Sequence, residues 1–186
     1  MAQAPALFDS RVLEDVFNAC FLASERTRLV GGAAEPLYLP ASATGQSHTL
    51  FYREDYFASA LHEVAHWCIA GPARRQQLDF GYWYAPEGRD GEQQRAFEVV
   101  EVKPQALEWL FSLACGYPFQ LSVDNLDAAS GQLPDTGEFR RRVLIEARRR
   151  QLRGLPPRAA RFFDALTAQF ASGVSLADLD LEGPGR

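Results

Sequence analysis

Tyr56-Phe-Ala-Ser-Ala-Leu-His-Glu-Val-Ala-His-Trp-Cys-Ile-Ala70, closed by Gly71-Pro72, is the stretch on which the reading of this chain turns. Its residues are good helix formers, Asp55 stands ahead of it as a candidate cap, and glycine followed by proline ends a helix in the favoured order. Inside it, His62-Glu63-Val64-Ala65-His66 sets two imidazoles four residues apart. On a helix they lie one above the other and can direct nitrogens at a single ion, while Glu63 points to an adjacent direction. The alternative is a pair of half-exposed histidines on a helix that buries Leu61, Val64, Ala65, Cys68 and Ile69. That arrangement needs no third ligand.

A third ligand is nevertheless available. In Phe97-Glu-Val-Val-Glu-Val102 two carboxylates stand three apart in an apolar run, where on a helix they share a face and repel unless a cation or proton intervenes. Glu101 is favoured over Glu98 because Gln105 follows it by one turn and could hydrogen-bond a ligand histidine, fixing its tautomer. Glu98 stays open as the alternative ligand or as a catalytic group beside the metal. His48, the remaining histidine, lies on an expected strand and reads as structural.

Two histidines and one carboxylate leave coordination positions open, a layout shared by catalytic zinc sites and non-heme iron oxygenases. With zinc, the motif reads as a peptidase whose Glu63 is the general base. With iron, Glu63 becomes an outer group or a substrate contact. A metal-stabilised binding module is the non-enzymatic reading, and it requires every coordination position to be filled by protein. The motif's own geometry does not separate the three.

Working outward, Val12, Leu13, Val16, Phe17, Cys20 and Phe21 recur at helical spacing over residues 9–23, with Asp9 or Ser10 as cap. Gly31 and Gly32 read as punctuation, and Pro36–Pro40 and His48–Tyr52 as short strands. Asp79-Phe-Gly-Tyr-Trp-Tyr84 reads as a further aromatic strand, followed by a loop over 85–91 that could line a pocket. A helix is expected over 92–115, kinked or restarted at Pro104, and two more at about 136–152 and 157–171. The first eight or so residues, and the tail beyond Gly173, are expected to be peripheral. The sum is a mainly helical α+β single domain, residues 1–186, with a small sheet.

Composition narrows the class. The 186 residues are 47% hydrophobic and 23% charged with a formal net charge of −5, which suits one globular core and disfavours a generally basic DNA binder. Lys103 is the only lysine, and arginines gather at 140–142, 148–150 and 153–161, either as a solvated helix face or as a docking surface for an acidic partner. Cys20, Cys68 and Cys115 have no regular spacing, which fits reduced buried thiols. No leader-like or membrane-spanning stretch is evident, so a cytoplasmic protein is expected.

Blocks spread along the chain carry a resemblance. Glu35–Pro40, Tyr56–Gly71, Ala73-Arg-Arg75, Asp79–Tyr84, Pro86–Asp90, Phe97–Trp109, Gly116–Phe119 and Asp124-Asn125 closely resemble the elongation factor P hydroxylase family of bacteria. The resemblance implies hydroxylation of the β-lysyl-lysine side chain of elongation factor P, with dioxygen and Fe(2+), or another divalent metal such as zinc in its place. It carries the metal site onto His62, His66 and Glu101 of a zincin-like helix, with Glu98 as alternative. A cationic substrate side chain would be favoured by Asp79, Tyr82, Trp83, Tyr84 and Glu63. Elongation factor P tends to be acidic, which makes Arg74, Arg75 and the arginines at 140–142 and 148–150 candidates for holding it.

Overall fold

The computed structural model describes residues 8–79, 91–122 and 137–182, with the side chains of 91–95 left aside. The described residues form five helices and a three-stranded sheet, with α1 and α2 the helices that pack on the sheet: α1 (Ser10–Phe21), β1 (Thr27–Ala33), β2 (Leu37–Leu39), β3 (His48–Arg53), α2 (Phe57–Ile69), α3 (Gly91–Cys115), α4 (Gly137–Arg153) and α5 (Pro157–Gln169). The α+β class follows directly, and helix dominates.

Helix α1 starts as its sequence dictates. The Asp9 carboxylate accepts from the Arg11 backbone N–H, satisfying one of the amides that a helix start leaves without a partner. Its apolar stripe, Leu13, Val16, Phe17, Cys20 and Phe21, is buried against Trp67 of α2 and Phe162 of α5. Its polar side reaches the sheet, where Asn18 Oδ1 and Glu14 Oε1 accept from the Leu29 and Gly31 amides at 3.0 Å each.

The sheet order is β1-β3-β2, with β1 parallel and β2 antiparallel to β3. The expected strands at 36–40 and 48–52 are present as β2 and β3. Thr27–Ala33 is a third, and here the expectation from Gly31-Gly32 fails. The two glycines do not end a segment; they sit at an irregularity between Val30 and Ala33 inside a strand. A Cβ on Gly31 would stand 2.5 Å from Tyr52 Oη and 2.9 Å from the Glu54 carbonyl, so only glycine lets the strand pass. Beyond β2, Tyr38 and Asp79 exchange both backbone hydrogen bonds, at 2.7 and 3.1 Å. The rest of the expected 79–84 strand lies outside the described residues.

Three further expectations are corrected. Asp55 does not cap α2; Tyr56 precedes the helix without a side-chain cap. Pro104 neither ends α3 nor starts another helix, for α3 is assigned without interruption from 91 to 115. Proline gives no N–H to the Val100 carbonyl, but Val100 is at the surface, where solvent is available to that oxygen. The tail is also no fringe. Leu179 and Leu181 are buried, and Gln151 of α4 donates to the carbonyls of Leu176, Ala177 and Leu179 while Arg148 donates to that of Leu181.

Helices α2 and α3 pack at the centre, with α3 also against α4 and α5. Arg158 on α5 joins them to the periphery. Its guanidinium donates to the carbonyls of Trp67, Cys68 and Ala70 at 3.0, 3.1 and 2.6 Å and lies 4.7 Å from the Trp67 ring centroid. The carbonyl end of α2 is thereby satisfied by a side chain from another helix. No described helix is long and apolar enough to cross a membrane.

Candidate metal centre

Helix α2 turns His62 and His66 toward α3, which answers with Glu101. The Nε2 atoms of the two histidines are 3.1 Å apart, and Glu101 oxygens stand 3.2 Å from His66 Nε2 and 3.6 Å from His62 Nε2. Ligand atoms about 2.0–2.2 Å from a common ion, at tetrahedral or octahedral angles, lie roughly 2.8–3.6 Å from one another. The three residues therefore fit one metal ion. Among the described residues they form the cluster able to hold one, and Glu98, a turn earlier on α3, is not part of it.

Behind this group lies a residue that the sequence reading does not single out. Glu108 Oε2 is 2.8 Å from His62 Nδ1, so a proton on Nδ1 is held by the carboxylate and Nε2 is the nitrogen turned to Glu101. Glu108 does the work expected of Gln105. Gln105 instead turns its amide to the protein: Nε2 donates to Glu101 Oε2 at 3.4 Å and to the Ser122 carbonyl at 2.8 Å, and Oε1 accepts from the Ser122 amide. Gln105 thus acts on the carboxylate rather than on an imidazole.

Both substitutions of role come from one seam. Glu101, Gln105, Glu108 and Ser112, spaced four, three and four apart, are all buried, and they lie on the side of α3 that meets α2 and the core. The signal for Glu108 is a charged residue in the apolar run Ala106-Leu-Glu-Trp-Leu-Phe111, seven positions after Glu101.

The electrostatics follow from burial. For His62, burial opposes the charged form, but the Glu108 carboxylate, then Glu101 and Glu63, outweigh it and raise the imidazole to about 10 in the metal-free site. Burial raises Glu108 and Glu63 against the pull of the histidines. Glu63 is 8% exposed, and its carboxylate has no hydrogen-bond or ion-pair partner among the described residues. It borders a small cavity of ≈ 40 Å³ with His66, Trp67, Tyr38 and Asp79. A second, open pocket of ≈ 460 Å³ reaches His66 and Glu101 from the side of Val100, Lys103 and Pro104.

Other candidate residues divide. Asp79 is held by the Arg74 Nε. Arg75 is part of the scaffold, donating to Glu25 at 2.8 Å while its carbonyl accepts from Tyr38 Oη. His48 accepts from the Ala41 amide and stacks on Tyr38, a structural role. Tyr82, Trp83 and Tyr84 lie outside the described residues. The arginine runs are largely engaged within the chain: Arg141 with Glu138, Arg149 and Arg150 with Glu146, and Arg148 and Arg158 with carbonyls. The three cysteines are buried and unpaired to one another, as expected.

Fold and cluster together define an α+β protein with a candidate two-histidine, one-carboxylate centre between its central helices. A family model described as elongation factor P hydroxylase matches residues 16–179. An "Elongation factor P lysine hydroxylase" of Haemophilus influenzae is 44% identical over 174 residues, covering 91% of this chain and 96% of that protein. The chain belongs to the elongation factor P hydroxylase family, and it is an enzyme of the hydroxylase class.

Proposed function

We propose that this chain is a single-domain cytoplasmic enzyme that hydroxylates the β-lysyl-lysine side chain of elongation factor P at a non-heme iron centre held by His62, His66 and Glu101. The observation that carries the reading is the spacing of their donor atoms, 3.1, 3.2 and 3.6 Å, within a family of hydroxylases. Helix α2 then serves as a zincin-like metal helix turned to oxygen chemistry. Iron, when bound, supplies the activation of dioxygen, and two imidazoles and one carboxylate leave it open positions for doing so.

The chain's own residues do the rest. Glu108 keeps the proton of His62 on Nδ1, so that Nε2 is free to ligate. Gln105 orients the Glu101 carboxylate and ties it to the backbone of Ser122. We assign Glu63 to the cationic substrate chain: it is buried beside both histidines with no hydrogen-bond or ion-pair partner among the described residues, and an ammonium group near it would offset the cost of its burial. Glu98, which is not part of the three-residue group, is kept as the alternative third ligand.

Anaerobic reconstitution with ferrous iron or with zinc, followed by exposure of lysylated elongation factor P to dioxygen and mass spectrometry, tests the reading. A gain of one oxygen atom that needs both iron and dioxygen is expected. Peptide cleavage by the zinc form without that gain would make the protein a metallopeptidase.

A further inference from the structure

The open pocket beside His66 and Glu101 is not explained by metal binding. Its lining includes Arg74, Lys103 and Arg150, and the sole carboxylate on it is Glu101. We propose that this pocket is a carboxylate-binding site, taking a carboxylate-bearing ligand alongside the metal. The proposal rests on the reading of His62, His66 and Glu101 as the metal centre, because that reading commits the pocket's one negative group to the ion, while Arg74 is already joined to Asp79, and leaves Lys103 and Arg150 facing the space.

The disposition of the cations supports it. Arg150 donates its Nε to Glu146 Oε1 at 2.7 Å, and Glu146 is behind the lining rather than on it. That bond orients the guanidinium and leaves both terminal nitrogens without a partner among the described residues, a fork suited to the two oxygens of a carboxylate. Lys103, two residues from Glu101, has no hydrogen bond or ion pair among the described residues. Lys103 and the terminal nitrogens of Arg150 therefore supply the attraction for an anion, with Arg74 held by Asp79 at the rim. Val100, 52% exposed, and Pro104 give the same pocket an apolar wall against which a short carbon chain can lie. A volume of ≈ 460 Å³ suits a small molecule or one extended side chain with its neighbours.

Such a carboxylate has two sources: a diffusible small acid that binds with the metal, or an aspartate or glutamate flanking the target lysine of the protein substrate. The test uses the full chain with succinate as probe, the wild type beside Lys103→Glu and Arg150→Gln, and metal content measured independently in each. Succinate should bind the wild type in calorimetry and bind both variants at least tenfold more weakly, with iron content unchanged. In turnover assays, competition of succinate with the protein substrate, and a KM for that substrate raised more than kcat is lowered in Lys103→Glu, assign the carboxylate to the protein. Dependence of turnover on an added small acid, with its half-saturating concentration raised tenfold in the variants, assigns it to a cosubstrate. No binding of succinate to the wild type, or equal binding in all three proteins, overturns the proposal. Failure of the metal reading shows separately, as a wild type that takes up no iron.

Discussion

Glu108 gives the most direct test of how the centre is built, because it touches no metal and acts only through the Nδ1 edge of His62. Glu108→Gln keeps the shape and removes the charge. It should weaken metal binding by about 10–100-fold, the usual loss when a group supporting a ligand histidine is altered. Titration with ferrous or zinc ion under anaerobic conditions reads it. In the same titration Glu101→Ala should abolish tight binding and Glu98→Ala should leave it near wild type; the reverse order would move the third ligand to Glu98. The histidine pair is legible in sequence because helical spacing is local; the preference for Glu101 leaned on a bond from Gln105 to a histidine, and in the structure Gln105 meets Glu101 itself. Gln105 and Glu108 are legible as a polar seam, but which of them meets an imidazole depends on how α3 lies across α2. No one-dimensional spacing contains that crossing.

At the scale of elements, β1 is the clearest lesson. Gly31 and Gly32 carry the signature of a turn, yet the chain continues as a strand because the Tyr52 ring occupies the space where a Cβ would go. Gly31→Ala should therefore destabilise the protein by about 1–3 kcal/mol, the cost of forcing extra volume into a packed site, read as a lowered midpoint in urea. Helix α1 allows a pH test. The Arg11 side chain, hydrogen-bonded to Asp9, holds that carboxyl below its ordinary 3.8. A group depressed by folding stabilises above its unfolded value and loses that contribution as pH falls through the folded one. Asp9→Ala should lower the melting temperature at neutral pH, and the gap from wild type should close as the pH falls below the carboxyl's ordinary 3.8 and on through its lowered folded value. Pro104 is the converse of Gly31: a residue that reads as a break and is tolerated because Val100, whose carbonyl it leaves without a donor, is at the surface.

The whole molecule is closed by contacts that join distant parts of the chain. The segment after Gly173 has little apolar periodicity, so nothing local marks it as core, but α4 offers Gln151 and Arg148 to its carbonyls and the core takes in Leu179 and Leu181. Truncation after Gly173 should cost roughly 1.5–3 kcal/mol for each of the two leucines, an upper estimate from burial, and appear as a lower thermal midpoint. Arg158 makes another such link, to carbonyls 88 to 91 positions earlier. Arg158→Met, which keeps much of the volume but no donor, should lower both the melting temperature and the metal affinity, whereas Arg158→Ala adds a cavity over Trp67. That link sets an order of events in synthesis. The helix bearing both histidines emerges from the ribosome long before the side chain that finishes its end, so a nascent chain has the ligands in hand without the frame to aim them. On the proposed metal reading, a chain stalled before residue 158 would carry the ligand residues while the carbonyl end of their helix still lacks its donor.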